Sequence, residues 1–431
     1  MAFKQNFDFI EELKWRGLLH DSMPGTEEQL AKEMTNAYIG FDPTADSLHI
    51  GNMVPITLLI LFQNAGHKPY VLVGGATGMV GDPSGKSAER NLLDDETLQK
   101  NIDGQKAQLT RFLNFDSGDN KAELVNNYDW FKNFSFLDFI RDVGKYITVS
   151  YMMAKDSVKN RMEASGISFT EFTYQLVQGY DFYHLYTHNN CKIQMGGSDQ
   201  WGNITTGTEL IRRKAQGQAF AITAPLITKA DGSKFGKSEG GNIWLDPERT
   251  SPYSFYQFWL NVGDEDAETF IKIYSLKSRT EIEELIANHK GNEYQRGLQK
   301  ALAEEMTIRV HSEHDLTQAQ KATQVFFKGT EEALRSLDLK TMDGAFADLD
   351  TFEISQKELK EGIGILDLVV TTTSIFPSKG EAKKMIAANG FSINKSKYTN
   401  VDGFINTDLL LHDKYMLLQK GKKQYFVLSV N

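Results

Sequence analysis

The chain has 431 residues, of which 40% are hydrophobic and 24% are charged, and its formal net charge is −10. At roughly 150 residues per domain this length predicts about three domains, and the composition excludes collagen-like, low-complexity and wholly disordered chains. The negative net charge excludes a uniformly basic nucleic-acid-binding protein, so any surface for nucleic acid must be local.

Short apolar runs alternate with helical patterns through the first half of the chain, which is typical of parallel α/β units. The pattern predicts strands at 37–41, 70–73, 192–195 and 220–222, and helices at 54–65, 170–188 and 200–214. Helical periods rich in Glu, Lys, Leu and Ala dominate from 251 to about 328. Near the end, AKKMIAANGFSIN predicts a helix, a glycine stop and a strand.

These patterns predict an α/β domain over 1–224, a helical domain over 225–328, a linker over 329–360 and a small α+β domain over 361–431. Charge is uneven along this order. From Ser378 onward the chain has nine lysines, no arginine and four acidic residues, a net charge of +5 on an acidic body. Such a tail fits a local surface for nucleic acid, with a solvated lysine face as the alternative.

Cysteine usage and hydropathy indicate the compartment. One cysteine, Cys191, excludes an internal disulfide framework and a multi-thiolate metal site, and it is expected to be a small buried hydrophobe. The longest apolar run, Ile50 to Phe62, is too short to span a bilayer and contains Asn52 and Pro55. The N-terminal segment carries acidic residues among its apolar ones, unlike a signal or transit peptide. We therefore expect a soluble, cytoplasmic protein.

The segment PTADSLHIGN, residues 43–52, joins the first predicted strand to the apolar helix. A strand that leads into a helix N-terminus, with a glycine that permits close approach, is a common anion-binding arrangement in α/β sheets. His49 and Asn52 would offer donors to a phosphate there. An ordinary loop histidine is the alternative, although the glycine and the helix start favour the phosphate site.

The glycine-rich segment GGATGMVGDPSGKSAER, residues 74–90, follows the second predicted strand. It is not a P-loop, because a P-loop that ends in Lys86 would need a glycine where the chain has Val80. What remains is a loop at the carboxyl end of a strand that carries Asp82, Lys86 and Arg90. Ligands commonly bind at such loops, and a plain surface loop is the alternative.

Tyr174, Gln178 and Asp181 are spaced by four and three residues in the predicted helix 170–188, so they share one face. A phenol, an amide and a carboxylate make a poor core face. They suit a polar small ligand that has an amine and a hydroxyl. The alternative is a stripe that is simply exposed to solvent.

Two further segments carry possible chemistry. GGSDQWGN, residues 196–203, lies between a predicted strand and helix and places Asp199 and Gln200 where a ribose or an adenylate could bind. KFGKS, residues 234–238, has two lysines among glycines. Such a cationic loop could close on a polyphosphate and neutralise developing charge, although lysine-rich glycine loops are often plain surface turns.

Taken in this order, the five segments resemble those of the class I aminoacyl-tRNA synthetases and, more narrowly, the bacterial tyrosyl-tRNA synthetase family. The resemblance covers nearly the whole chain. HIGN matches the HIGH motif with Asn52 as its last residue, and KFGKS matches KMSKS with Phe235 and Gly236 in the middle. GDPSGK, the YDF of residues 180–182 and GGSDQWGN are further landmarks. Each motif alone is modest evidence, whereas the ordered set is specific.

The resemblance implies a Rossmann-like catalytic domain, a helical domain on the anticodon side of the tRNA, and a C-terminal RNA-binding domain similar to a small-subunit ribosomal protein. It implies activation of L-tyrosine with ATP to tyrosyl-adenylate and pyrophosphate, followed by transfer of tyrosine to the 3′ end of tRNA(Tyr). It also implies Mg²⁺ held through the ATP phosphates, no protein-bound metal, and a homodimer.

The resemblance also assigns roles to single residues. Tyrosine binding falls to Tyr38, Asp82, Tyr174, Gln178, Asp181 and Gln200. Of these, Tyr38 and Asp181 would bind the phenol, whereas Asp82, Tyr174 and Gln178 would hold the α-ammonium. Binding of ATP or the adenylate falls to Gly40, Asp42, Thr44, Gly51, Asp199 and Lys237. Catalysis falls to His49, Asn52, Lys86, Arg90, Lys234, Lys237 and Ser238.

Three other functions compete with this interpretation. A tryptophan-type synthetase shares the architecture, but the pairing of Tyr38 with Asp181 favours a phenol over an indole. An adenylyltransferase of the same fold that acts on another small molecule would need no basic tail. An inactive RNA-binding or scaffold protein would have no use for His49 and the loop lysines.

Overall fold

The computed structural model describes residues 5–84, 93–164, 166–233, 235–238, 241–347, 349–421 and 424–431. The chain forms two compact units, each made of two segments. The first unit is Met1–Asp246 with Val262–Leu302, and the second is Pro247–Asn261 with Ala303–Asn431. No helix in these described ranges is both long enough and apolar enough to cross a bilayer.

The first unit contains eight short and medium strands among the described residues: β1 (Asp21–Ser22), β2 (Asn36–Phe41), β3 (Lys68–Val73), β4 (Glu123–Asn126), β5 (Cys191–Gly197), β6 (Phe220–Ala224), β7 (Lys237–Ser238) and β8 (Gly241–Asn242). The helices up to residue 289 are, in chain order, α1 (Phe9–Arg16), α2 (Thr26–Lys32), α3 (Met53–Asn64), α4 (Thr77–Val80), α5 (Asp95–Leu109), α6 (Tyr128–Phe131), α7 (Phe136–Asp142), α8 (Val149–Met153), α9 (Asp156–Ala164), α10 (Phe169–Asn189), α11 (Trp201–Leu210), α12 (Pro252–Leu260), α13 (Asp264–Tyr274) and α14 (Arg279–His289). Of these, α12 belongs to the second unit.

Six strands of the first unit form one sheet in the order β1-β6-β5-β2-β3-β4. β1 runs antiparallel to β6, and the other neighbours in the sheet are parallel. The chain passes from β2 to β3 and β4 on one side and then returns to β5 and β6 on the other. Strand order therefore reverses between β2 and β5, and ligands bind at the carboxyl ends of the strands at such a reversal. This sheet confirms the predicted Rossmann-like α/β fold.

Two helices border that reversal. α3 follows β2 through a short 3₁₀ turn at Ile50–Asn52, and nine of its twelve residues are buried because it packs on β3, on β5 and against α13. α10 begins with a capping box between Ser168 and Glu171, in which each side chain satisfies a backbone N–H of the other. It ends at Asn190, whose φ of 49° is left-handed.

The second unit continues with α15 (Gly297–Val310), which begins in the first unit, and with α16 (Glu313–Lys328), α17 (Glu331–Arg335), α18 (Leu339–Phe346), α19 (Gln356–Glu361), α20 (Ile365–Asp367) and α21 (Lys379–Ala387). Its strands are β9 (Asp350–Ile354), β10 (Ile363–Gly364), β11 (Phe391–Ile393), β12 (Ser396–Lys397), β13 (Phe404–Ile405), β14 (Tyr415–Lys420) and β15 (Gln424–Val430). Five of them form a sheet in the order β12-β11-β14-β15-β9.

The stretch 329–360 is not the linker that the sequence suggests. It holds α17, α18, β9 and most of α19, and β9 pairs in parallel with β15. Leu334 and Met342 from this stretch are buried in one core with Leu417 and Val427. The predicted helical domain over 225–328 is also corrected, because residues 262–302 belong to the first unit and the residues on either side of them to the second.

Candidate active site

A cavity of about 440 Å³ opens in the first unit at the carboxyl ends of β2 and β5, beneath α10. Its lining includes most of the residues singled out from the sequence: Tyr38, Gly40, Asp42, Thr44, His49, Asn52, Asp82, Tyr174, Gln178, Asp181, Asp199 and Gln200. The structure therefore brings together residues that are up to 162 positions apart in the chain. Lys86, Arg90 and Lys234 lie outside the described residues.

The turn before α3 is held by its own side chains. The Nδ1 atom of His49 accepts a hydrogen bond from the Gly51 N–H at 3.0 Å, and the Asn52 Oδ1 atom accepts from the His49 N–H at 3.0 Å. A Cβ atom on Gly51 would lie 2.8 Å from the His49 ring, so this turn requires glycine. Because Nδ1 is the acceptor in a neutral ring, the ring proton is on Nε2, and the amide of Asn52 keeps its N–H groups to donate.

Asp181 lies at the closed end of the cavity and is buried. Its Oδ1 atom accepts from the Trp130 indole N–H at 2.8 Å, and its Oδ2 atom accepts from the Asn127 amide at 3.0 Å. Burial raises the pKa of Asp181, whereas these two hydrogen bonds favour its ionised form. In that form the carboxylate still has lone pairs to accept a hydroxyl proton from a ligand.

Three polar atoms that line the cavity are buried without a hydrogen-bond partner: the Tyr38 hydroxyl and the amide oxygens of Gln178 and Gln194. Tyr38 and Gln194 are paired neighbours on β2 and β5. Burial raises the pKa of Tyr38 well above its usual value, so its hydroxyl stays protonated and able to donate. An unpaired buried polar group costs about 1–3 kcal/mol, which a bound ligand would recover.

The lining residues Asp42 and Thr44 are more exposed than Asp181, and we call their part of the cavity the open end. Asp42 and Asp82 act as acceptors. Asp42 accepts from the Tyr174 hydroxyl at 3.0 Å and from the Thr77 hydroxyl at 2.8 Å. Asp82 accepts from the Gln200 amide at 2.7 Å, a contact that ties the segment after β3 to the segment after β5. Burial and the adjacent Asp42 raise the pKa of Tyr174 far above its usual value, so this phenol also stays neutral.

The KFGKS segment is joined to the histidine turn by main-chain hydrogen bonds. The N–H of Ile243 donates to the Gly236 carbonyl at 3.1 Å, and the N–H of Ile50 donates to the Ile243 carbonyl at 2.8 Å. Gly236 has a left-handed φ of 85°, and a Cβ atom there would lie 2.6 Å from Ile50 Cγ2. The backbone of Lys237 and Ser238 forms β7, which pairs with β8.

Phe235, which replaces a methionine in the motif, is buried within the first unit. Its ring packs edge-on against Phe270 at 4.6 Å between centroids and lies over Tyr274 at 5.6 Å. Both partners belong to α13. An aromatic residue at this position therefore anchors the KFGKS segment to a helix that follows it in the chain.

Several residues that hold the site were not predicted from the sequence: Thr77, Asn127, Trp130, Gln194 and Asn203. Asn203 donates to Asp82 at 3.3 Å, and Asn127 and Trp130 hold Asp181. Thr77 and Asn203 lie inside segments that were already singled out, so their polar side chains were a usable signal. Within the described ranges no group of three or more His, Cys, Asp or Glu side chains is placed to hold a metal ion.

Comparisons with known proteins find matches to one family over nearly the whole chain. Residues 30–328 match the family of class I tRNA synthetases for tryptophan and tyrosine, and residues 341–428 match the tyrosine–tRNA ligase SYY-like C-terminal domain. The chain is 58% identical to the tyrosine–tRNA ligase of Bacteroides fragilis over 98% of this chain and 99% of the relative. It is 59% identical to that of Cytophaga hutchinsonii over 98% and 100%.

A solved structure of a tyrosyl-tRNA synthetase is also similar to this chain. A C-terminally truncated mitochondrial tyrosyl-tRNA synthetase from Aspergillus nidulans superposes with a TM-score of 0.67 and is 30% identical. The match covers 74% of this chain and 94% of that one.

Proposed function

The chain belongs to the tyrosine–tRNA ligases of class I, and we propose that the cavity of its first unit activates L-tyrosine with ATP and charges tRNA(Tyr). The enzyme is thus a ligase that uses tyrosine, ATP and tRNA. The observation that carries the role of the cavity is its closed end, where the Tyr38 hydroxyl and the Asp181 carboxylate are buried together. The phenol hydroxyl of a bound tyrosine can accept from the Tyr38 hydroxyl and donate to the Asp181 carboxylate.

The open end suits the amino-acid ammonium and the nucleotide. Asp82, Tyr174 and Gln178 present oxygen acceptors, and we propose that they bind the three ammonium protons. Asp42, Thr44 and Asp199 line the side that would receive the adenylate. Gly40 lines the cavity and lets the backbone approach the nucleotide, whereas Gly51 is not in the lining and instead shapes the His49 turn.

The first chemical step needs no general base, because the tyrosine carboxylate is already ionised at neutral pH. One carboxylate oxygen forms a bond to the α-phosphorus, the bond from that phosphorus to the bridging oxygen breaks, and pyrophosphate leaves with the electron pair. Donors aimed at the phosphate oxygens stabilise the charge that develops. We propose His49, Asn52 and the lysines of the KFGKS and GDPSGK segments for this role.

The second step transfers the tyrosyl group. A ribose hydroxyl at the tRNA 3′ end attacks the carbonyl carbon of the adenylate and gives its proton to a phosphate oxygen. The bond from that carbon to the bridging phosphate oxygen breaks, and AMP leaves with the electron pair. Mg²⁺ is proposed to enter with ATP, bound through the phosphate oxygens, since Mg²⁺ in such sites commonly relies on substrate phosphates.

The experiment that tests this function is amino-acid-dependent exchange of labelled pyrophosphate into ATP with tyrosine, tryptophan and phenylalanine in turn. We expect exchange with tyrosine and little with the other two. Phenylalanine has no hydroxyl, so the buried Tyr38 hydroxyl would stay unpaired, at about 1–3 kcal/mol, and Asp181 would gain no donor beyond Trp130 and Asn127. Faster exchange with tryptophan than with tyrosine, or no exchange with any of the three amino acids, would contradict the proposal and favour the alternatives named above.

The basic C-terminal region is proposed to bind tRNA phosphates. Lys383 and Lys384 are exposed on α21. We expect Lys383→Glu with Lys384→Glu to weaken tRNA binding and to reduce the slope of log affinity against log salt by about one for each phosphate that is no longer bound. Filter binding across a salt series measures both quantities, and pyrophosphate exchange should not change. The control pair Lys121→Glu with Lys277→Glu makes the same change in charge at exposed sites of the first unit. Equal losses of tRNA affinity in the two double variants would contradict a local tRNA surface.

A homodimer is proposed through the helices between β4 and α10. Phe136 is 63% exposed and Leu137 is 75% exposed on α7, and Val149 is 61% exposed on α8. Exposed large apolar side chains grouped in one segment mark protein interfaces. We expect Leu137→Glu to lower the mass measured by light scattering from dimer to monomer. Phe404→Glu, which alters a residue 73% exposed in the second unit, is the control and should stay dimeric. A monomeric wild type, or a dimeric Leu137→Glu protein, would contradict this interface.

A further inference from the structure

Asp181 at the closed end of the cavity is connected to Asp42 at its open end by two buried side chains. The Asn127 amide donates to Asp181 at 3.0 Å and to the Thr77 hydroxyl at 3.1 Å. The Thr77 hydroxyl donates to Asp42 at 2.8 Å. We call Asp181, Asn127, Thr77 and Asp42 the relay. Asn127, Thr77 and Asp181 are almost completely buried, so water does not compete for these bonds.

The direction of each hydrogen bond in the relay follows from one backbone group. The Ala76 N–H donates to the Asn127 Oδ1 atom at 2.6 Å, which fixes the amide with its oxygen toward Ala76. Its NH₂ group must then face Thr77 and Asp181. Since the Thr77 oxygen accepts from that NH₂ group, its single proton is directed to Asp42. A reversed amide would place two donors against each other at Ala76.

The backbone beside the relay is shaped to fit it. A Cβ atom on Gly74 would lie 2.5 Å from the Asp42 Oδ1 atom and would also overlap the Thr77 hydroxyl. The Gly74 N–H donates to the Phe41 carbonyl at 2.9 Å, which holds the main chain this close to Asp42. Glycine is therefore required for the chain to pass while Thr77 reaches Asp42.

We infer that Thr77 and Asn127 are positioning residues that couple the tyrosine end of the cavity to its nucleotide end. The inference rests on the proposed function of Asp181 and Asp42. A tyrosine phenol that binds Asp181 holds the carboxylate against Asn127, and Asn127 in turn holds Thr77 and Asp42 in one arrangement. Such coupling is reciprocal. We therefore expect loss of the middle link to weaken the binding of both tyrosine and ATP.

The test is Thr77→Val, which keeps the shape of the side chain and removes its hydroxyl. We expect the KM for tyrosine and the KM for ATP each to rise about tenfold in pyrophosphate exchange, because a hydrogen bond to a charged group is lost from the middle of the relay. Thr77→Ser restores the hydroxyl and should return both values to within about twofold of the wild type. Thr77→Ala, which adds no methyl group beside Asp42, gives the same expectation if the valine variant does not fold.

The matched control is Thr57→Val, which removes another fully buried threonine hydroxyl from α3, outside the relay. Both KM values should stay at the wild-type level. A rise in the KM for tyrosine alone would overturn the coupling and leave Thr77 as a local support, and a rise in neither would overturn any role in positioning. Absence of tyrosine-dependent exchange in the wild type would instead contradict the proposed function itself, so the two failures are distinct.

Discussion

Replacing Asp181 with asparagine is expected to raise the KM for tyrosine by roughly 10- to 150-fold, the effect of losing one hydrogen bond to a charged group. Trp130 and Asn127 both donate to this carboxylate, one to each oxygen. An asparagine has a single oxygen, so its NH₂ group would face one of these donors. The substrate phenol would then meet a displaced side chain without charge.

The expected effect is selective for the amino acid. The KM for ATP should rise by a smaller factor than the KM for tyrosine, because the Thr77 and Tyr174 hydroxyls still hold Asp42. Discrimination between tyrosine and phenylalanine should fall, since the lost carboxylate is the group proposed to accept from the phenol hydroxyl that phenylalanine lacks. Pyrophosphate exchange with each amino acid measures both quantities.

Asp129→Asn is the matched control for this experiment. Asp129 is exposed on α6, next to Trp130 in the chain, so the same chemical change is made at a residue that does not line the cavity. Its KM for tyrosine should equal that of the wild type. If Asp181→Asn raised the KM for ATP as strongly as the KM for tyrosine, the assignment of Asp181 to the phenol would be wrong.

Replacing Gly236 with alanine is expected to slow adenylate formation by roughly 10- to 100-fold while tyrosine affinity stays unchanged. A left-handed non-glycine residue costs about 1–3 kcal/mol, and the added Cβ atom would also press on Ile50. Relief of that contact requires the KFGKS backbone to move away from the histidine turn. The donors that we propose for the phosphates on these two segments would then lose their common geometry.

Gly232→Ala separates backbone strain from this contact. Gly232 also has a left-handed φ, 79°, but a Cβ atom there meets nothing within 4 Å. We expect it to leave the rate of adenylate formation near the wild-type value in rapid-quench measurements. Similar slowing in both variants would mean that strain alone is responsible and that the fit of Gly236 against Ile50 does not matter.

Much of the first unit could be predicted from the sequence because its elements carry strong local signals. β2, β3 and α3 begin or end within about two residues of the predicted bounds, since each is a continuous apolar run bounded by turn residues. The shared face of Tyr174, Gln178 and Asp181 on α10 was predictable from helical spacing, and all three line the cavity.

Elements stabilised mainly by distant partners were not predictable in this way. α17 and α18 have five and eight residues, too few for a clear helical period, and their apolar side chains are buried in a core that they share with α16, β14 and β15. β4 was missed for a related reason: it is short and half-buried at the edge of the sheet. Asn127 follows it directly, so its place beside Asp181 could not be inferred.

The division of the chain has a consequence for how its two units can be exchanged by recombination. Residues 247–261 belong to the second unit although the first unit is completed only by residues 262–302. A gene fragment that stops after Asp246 would lose α13, and with it the rings of Phe270 and Tyr274 that hold Phe235. No single recombination breakpoint can exchange either unit intact, because the chain passes between the units after residues 246, 261 and 302.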